Sequence, residues 1–175
     1  FYSRRISDIR GGAKVMGKHG PWTFALLGAD AEEMNGRPEA TFGVARVQRD
    51  IGRSALGMTW ADRRVDGIGD GSASLDATLF FSPTLGFTGQ LVRSYGPEET
   101  GVWAFFLRPS YDSPTGHFHV RYTHLGESFA DNANGIGFIQ DDNRREVDSA
   151  LEKTFWVSSG FLERLRYGSN YNWYW

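Results

Sequence analysis

The chain has no cysteine, so neither disulfides nor thiolate metal sites are available to it. No stretch approaches the ~20 apolar residues of a membrane-spanning helix, which excludes a helical membrane protein. Lysine is scarce, with Lys14, Lys18 and Lys153 set against sixteen arginines. A net charge of −2 gives no general attraction to nucleic acid, so no nucleic-acid partner is expected. No signal peptide is visible in the sequence. Phe1-Tyr2-Ser3-Arg4-Arg5 is not a cleavable leader and no apolar segment follows it, so the sequence reads as a fragment or as a mature protein whose early part is missing. No segment carries a convincing helical period.

What is present favours β structure. Aromatics make up 15% of the residues and glycine contributes 22, a composition suited to wide flat side chains and tight corners. The clearest unit is Ala45–Trp60, a hairpin turning at Asp50–Arg53, with Leu56, Met58 and Trp60 on one face of its second arm. Short turns recur at His19–Pro21, Ser82–Thr84, Asp112–Thr115 and Ser158–Gly160. Between them the alternation predicts ten strands, over Arg10–Lys18, Trp22–Ala31, Thr41–Arg49, Ser54–Asp62, Ser72–Phe81, Leu85–Tyr95, Gly101–Tyr111, Gly116–Leu125, Asn143–Val157 and Phe161–Trp175. The alternation leaves open which face carries Arg46. Glu32–Glu39, Arg63–Gly71, Gly96–Thr100 and Phe129–Asp142 read as longer loops.

Two regularities bear on the surrounding solvent. Short turns at one end alternate with long loops at the other, the asymmetry of outer-membrane barrels. Strands of nine or more residues suit a tilted crossing of a ~30 Å hydrocarbon layer, whereas soluble strands usually stop near five or six. Aromatics such as Trp22, Trp60, Tyr95, Tyr111 and Trp173 fall near strand ends, as an interfacial girdle requires. The expected fold is therefore an all-β, antiparallel, up-and-down transmembrane β-barrel of about ten strands. Residues 1–175 form a single barrel domain or a segment of a larger barrel. A soluble β-barrel or sandwich shares the alternation and is the competing architecture.

Several motifs carry a family resemblance. They are Phe1-Tyr2-Ser3-Arg4-Arg5-Ile6, Gly11-Gly12-Ala13-Lys14 with Gly17-Lys18, Ala45–Ser54, and Gly137-Phe138-Ile139-Gln140-Asp141-Asp142-Asn143-Arg144-Arg145-Glu146. Together the chain resembles the uncharacterised barrel-like C-terminal domain that follows a family-9-type carbohydrate-binding domain in large bacterial proteins. The resemblance implies an outer-membrane β-barrel and brings no catalytic residues with it. Its expected location is the bacterial outer membrane. Its partners would be the lipid bilayer and either a glycan or another surface protein.

Chemistry-bearing residues are few. His117 and His119 share one strand face about 7 Å apart by strand rise, a spacing able to ligate zinc or copper if Asp76, Glu146 or Asp148 supplies a third ligand. The preferred reading is that His117, His119, Arg121, Asp76, Arg164 and Arg166 are polar groups lining a wet lumen, with no metal and no cofactor. Asp141-Asp142-Asn143 with Glu146 lacks EF-hand spacing and reads as solvated loop charge. Arg49, Asp50 and Arg53 are expected to form a structural ion network at their turn, with contact to a periplasmic partner as the alternative. No catalytic residue is assigned. The role expected is passage, surface binding or assembly, against a secreted carbohydrate-binding or hydrolase-associated β-domain that stacks its aromatics on sugars.

Overall fold

Segments of ten or more residues with period-two alternation have one way to satisfy their backbone polar groups, which is to pair with neighbours. The computed structural model, which describes residues 6, 8–33, 36, 38–137 and 139–175, has this arrangement. The strands are β1 (Ile9–His19), β2 (Trp22–Ala31), β3 (Ala40–Ile51), β4 (Ser54–Val65), β5 (Ile68–Phe80), β6 (Leu85–Tyr95), β7 (Trp103–Ser113), β8 (Gly116–Leu125), β9 (Arg145–Ser159) and β10 (Leu162–Tyr174). They form one antiparallel sheet in sequence order. The expected all-β up-and-down architecture is present. The sheet is open, with β1 and β10 as its edges. The motif Phe1–Arg5 and the residue Phe138 lie outside the described residues.

Two expectations need correction. Arg63–Gly71 is not a loop: β4 runs on to Val65 and β5 starts at Ile68, leaving a two-residue turn. Asp66 and Gly67 both have positive φ, 52° and 80°, the conformation of a type I′ hairpin whose twist matches the flanking strands. Within the expected loop Phe129–Asp142 a short helix, α1 (Phe129–Ala133), is present where none was anticipated. Asp142 starts it, its two carboxylate oxygens accepting from the Ala130 N–H at 2.8 and 2.9 Å.

Pairing sorts the side chains onto two faces. One cross-strand row on the first face reads Gly17, Phe24, Val47, Met58, Leu75, Leu91, Phe105 and His124. The corresponding row on the other face reads Lys18, Thr23, Gln48, Gly57, Asp76, Gln90, Phe106, Thr123 and Glu146. The first row starts near the turn end of β1 and finishes near the loop end of β8, so the strands are staggered as tilted barrel strands are.

Burial runs opposite to the pattern of a water-soluble sheet. The apolar face is the open one, with Met58 50%, Leu75 57% and Leu26 55% exposed. The polar face is the covered one at its loop end. There Ile136, from the β8–β9 connection, packs on Ala29, Ala31, Phe42, Val44 and Ala61. Phe129 and Ala133 of α1 pack on Ala104, Val92 and Leu125. The 126–144 connection thus lies across the polar face and touches strands on both sides of it.

Candidate functional site

The polar face holds its charges in connected groups. Arg46 on β3 and Asp76 on β5 are separated by β4, and their side chains meet across it. Both guanidinium nitrogens donate to the carboxylate at 2.8 Å, a forked pair. Arg46 also donates to Thr59 at 2.6 Å and to Gln48 at 3.1 Å. Gln48 in turn donates to Asp50 at 3.2 Å, and Asp50 pairs with Lys18 at 2.7 Å. A continuous series of partners therefore runs from β1 to β5. It passes over Gly57, where a Cβ would stand 2.6 Å from Asp76 Oδ1 and 2.7 Å from an Arg46 nitrogen. Only a residue without a side chain leaves the fork its path.

A second group lies on β7–β9. His117 Nδ1 is 2.5 Å from Asp112 Oδ1, His117 Nε2 is 2.9 Å from His119 Nδ1, and His119 Nε2 is 3.3 Å from Asp148 Oδ2. Arg121 stacks on Phe106, 4.5 Å from the ring centre. On the last hairpin Arg166 donates to Glu152.

The six expected lumen residues all stand on the polar face by register, yet they do not form one site. Asp76 belongs to the β3–β5 group, His117, His119 and Arg121 to β8, and Arg164 and Arg166 to β10. Asp76 is three strands from the histidines, about 14 Å at strand spacing, so it is Arg46's partner and not a histidine's. Among the described residues no three His, Asp or Glu side chains converge on one point. The acidic run Asp141–Glu146 is likewise dispersed: Asp142 caps α1, while Asp141 and Glu146 pair with Arg144.

The turn cluster is distributed differently from the expected network. Adjacent strand residues point to opposite faces, so Asp50 joins Lys18 on the polar side while Arg49 turns to the apolar side. There the Arg49 guanidinium lies 5.4 Å from the Trp22 ring, whereas that of Arg53 lies 5.1 Å from Phe80, which the register sets on the polar face with Asp76 and Thr78. At the other end of the sheet Arg93 sits 5.7 Å from Trp103. Arginine–aromatic pairs therefore flank the apolar face at both ends. Between them Leu56, Leu75, Leu91, Phe105 and Leu107 line an apolar depression of 460 Å³.

Sequence reasoning missed Arg46, Thr59, Gly57 and Asp112 as participants. The signal for Asp112 was its position beside the His117 hairpin, and for Gly57 its place in mid-strand, where close approach of other groups is the usual reason for glycine. No family model matches the chain, and comparison with curated proteins and with solved structures finds no match.

Proposed function

We propose that the chain is an integral outer-membrane β-barrel protein, or ten strands of a larger barrel, serving passage, surface binding or assembly and not catalysis. The observation that carries this reading is the inverted amphipathicity of the sheet. Large apolar side chains form an open cross-strand row, while ion pairs and hydrogen-bonded polar groups occupy the opposite face. Covering the exposed half of each of Phe24, Val47, Met58, Leu75 and Leu91 is worth about 1 kcal/mol per side chain, and hydrocarbon does this for the whole row at once. The arginine–aromatic pairs at both ends suit the two water–lipid interfaces. The resemblance to the barrel domain that follows a carbohydrate-binding domain points the same way, to a bacterial outer membrane, with lipid as the first partner and a glycan or surface protein as the second.

The test compares boiled and unboiled mobility in dodecyl sulfate of chain extracted from membranes, for the wild type and Leu75→Arg. A mid-strand arginine facing lipid costs about 2–4 kcal/mol, whereas an exposed Leu→Arg change in a soluble sheet stays within about 0.5 kcal/mol. A faster unboiled band that Leu75→Arg weakens supports the proposal. A chain recovered without detergent, with one mobility and unchanged stability in Leu75→Arg, refutes it.

A further inference from the structure

The histidine pair on β8 has an unusual hydrogen requirement. Carboxylates only accept, so His117 Nδ1–H donates to Asp112 and His119 Nε2–H donates to Asp148. A neutral imidazole carries a single N–H. With both outer nitrogens protonated, the inner ones, His117 Nε2 and His119 Nδ1, are left as lone pairs. These lone pairs face each other at 2.9 Å. Two acceptors at that separation repel unless a positive centre lies between or beside them.

We propose that His117 Nε2 and His119 Nδ1 chelate a divalent cation that favours tetragonal coordination, Cu²⁺ or Ni²⁺, with Asp112 and Asp148 as positioning carboxylates. Imidazole nitrogen suits these ions. Metal–nitrogen bonds of ~2.05 Å meeting at a right angle place the two nitrogens about 2.9 Å apart, while tetrahedral zinc would need about 3.3 Å. The observed spacing is that of adjacent corners of a square. The rings are inclined by 64° with centres 5.1 Å apart, so they meet edge to face and do not stack.

The carboxylates add a second, independent feature. A metal-bound histidine ordinarily donates its other N–H to a carboxylate or carbonyl, which fixes the tautomer and raises ligand basicity. Here both histidines are so held, one by a residue of β7 and one by a residue of β9. Their two negative charges also balance a divalent ion. Arg121, the nearest cation along the strand, is committed to Phe106, and Arg166 to Glu152. The histidine side chains keep 28% and 13% of their exposure, so water completes the coordination from the open side. The site is built from β7, β8 and β9 alone and needs no barrel closure.

The experiment is titration of the folded full chain with Cu²⁺, followed by calorimetry and by electron paramagnetic resonance. One tight equivalent whose spectrum shows two equatorial nitrogens is expected. His117→Gln and His119→Gln should each weaken it at least 100-fold and reduce the nitrogen count. Asp148→Asn should weaken it 10–100-fold while both nitrogens remain, a split that mere misfolding would not give. His19→Gln and His124→Gln should leave it unchanged. Circular dichroism checks that each variant is folded. Binding within twofold of wild type in a folded His119→Gln, or a wild-type spectrum with one nitrogen, overturns the proposal. So does the absence of any tight equivalent, which would leave a shared proton between the rings.

Discussion

Gly57 gives a test of the polar face that reverses sign with background. Its backbone lies beneath the Arg46–Asp76 fork, and an alanine Cβ would sit 2.6–2.7 Å from three of the fork's charged atoms. Those distances are below any normal contact, so Gly57→Ala must break or displace the pair. Arg46 is 37% and Asp76 28% exposed, which discounts the fork for solvent screening. Two charge-assisted hydrogen bonds in that setting are worth about 2 kcal/mol together. Against this, alanine in mid-strand is favoured over glycine by about 0.5–1 kcal/mol. Gly57→Ala should therefore destabilise the sheet, by at most about 1–1.5 kcal/mol if the pair is broken and less if its side-chain ends shift aside. In an Arg46→Ala/Asp76→Ala background the obstruction is gone, and the same substitution should stabilise by about 0.5–1 kcal/mol. The measurement is urea unfolding by tryptophan fluorescence, in whichever of buffer or detergent holds the chain folded, run as a mutant cycle. An equal effect of Gly57→Ala in both backgrounds would refute the fork as the reason for the glycine.

The 126–144 connection supplies two further expectations. Burial, partly offset by the Ala130 N–H and reinforced by the negative Asp131, raises the Asp142 carboxyl above its ordinary value. A raised folded value favours the protonated form in the docked loop. Docking is therefore strongest below the ordinary carboxyl range near 4 and weakens as pH climbs through the raised value. Hydrogen exchange of the α1 amides should show that slope in the wild type and a shallower one in Asp142→Asn, where the Asp70 carboxyl against Gly135, also raised by burial, still contributes, and an unchanged slope in the variant would contradict it. Gly135 lies against the Asp70 carboxylate so closely that an added Cβ would overlap it. Gly135→Ala should loosen the loop by about 1–3 kcal/mol, the usual cost of overpacking, read as faster proteolysis between 126 and 144. Cleavage at the wild-type rate would mean the contact is not limiting.

Much of this architecture was legible because strand alternation has a period of two and needs no tertiary information. Leu75, Leu79 and Ala73 against Ser74, Asp76 and Thr78 assigns a face at sight, and the pairing respects it. Arg46 was not assignable because the faces of β3 change character along its length. Toward the loops the polar side carries Phe42 and Val44, which Ile136 covers, and toward the turn it carries Arg46, Gln48 and Asp50. A covering residue some ninety positions distant leaves no mark in the local pattern. Helix α1 escaped for a similar reason: five residues are too few to show a helical period, and its cap comes from Asp142. The β4–β5 turn is a different case. Asp66-Gly67 is a strong type I′ signal, masked by the glycine-rich residues around it. The histidines were visible as a pair, but Asp112 sits at a strand end and Asp148 is brought to His119 only by the β8–β9 register.

The open edges constrain how the two faces can be used. β1 and β10 each have one neighbour, so a row of backbone N–H and C=O groups on each is available for pairing. In water such groups are solvated at little cost, but in hydrocarbon each unsatisfied one costs several kcal/mol. In the membrane barrel proposed above, the apolar face could therefore not enter lipid while the edges stay open, and closure and insertion would be one event. An even number of strands makes β1 and β10 antiparallel to one another, the relation that closure or an inserted even set of strands requires. The stagger accumulated across the sheet would supply the tilt that such closure needs. Closing the edges as proposed would turn the ion pairs of β3–β5 and the histidine group of β7–β9 towards a shared interior. In the proposed barrel the polar face would be the wall of a water-filled space, and its forked and bridged charges would set what that space admits.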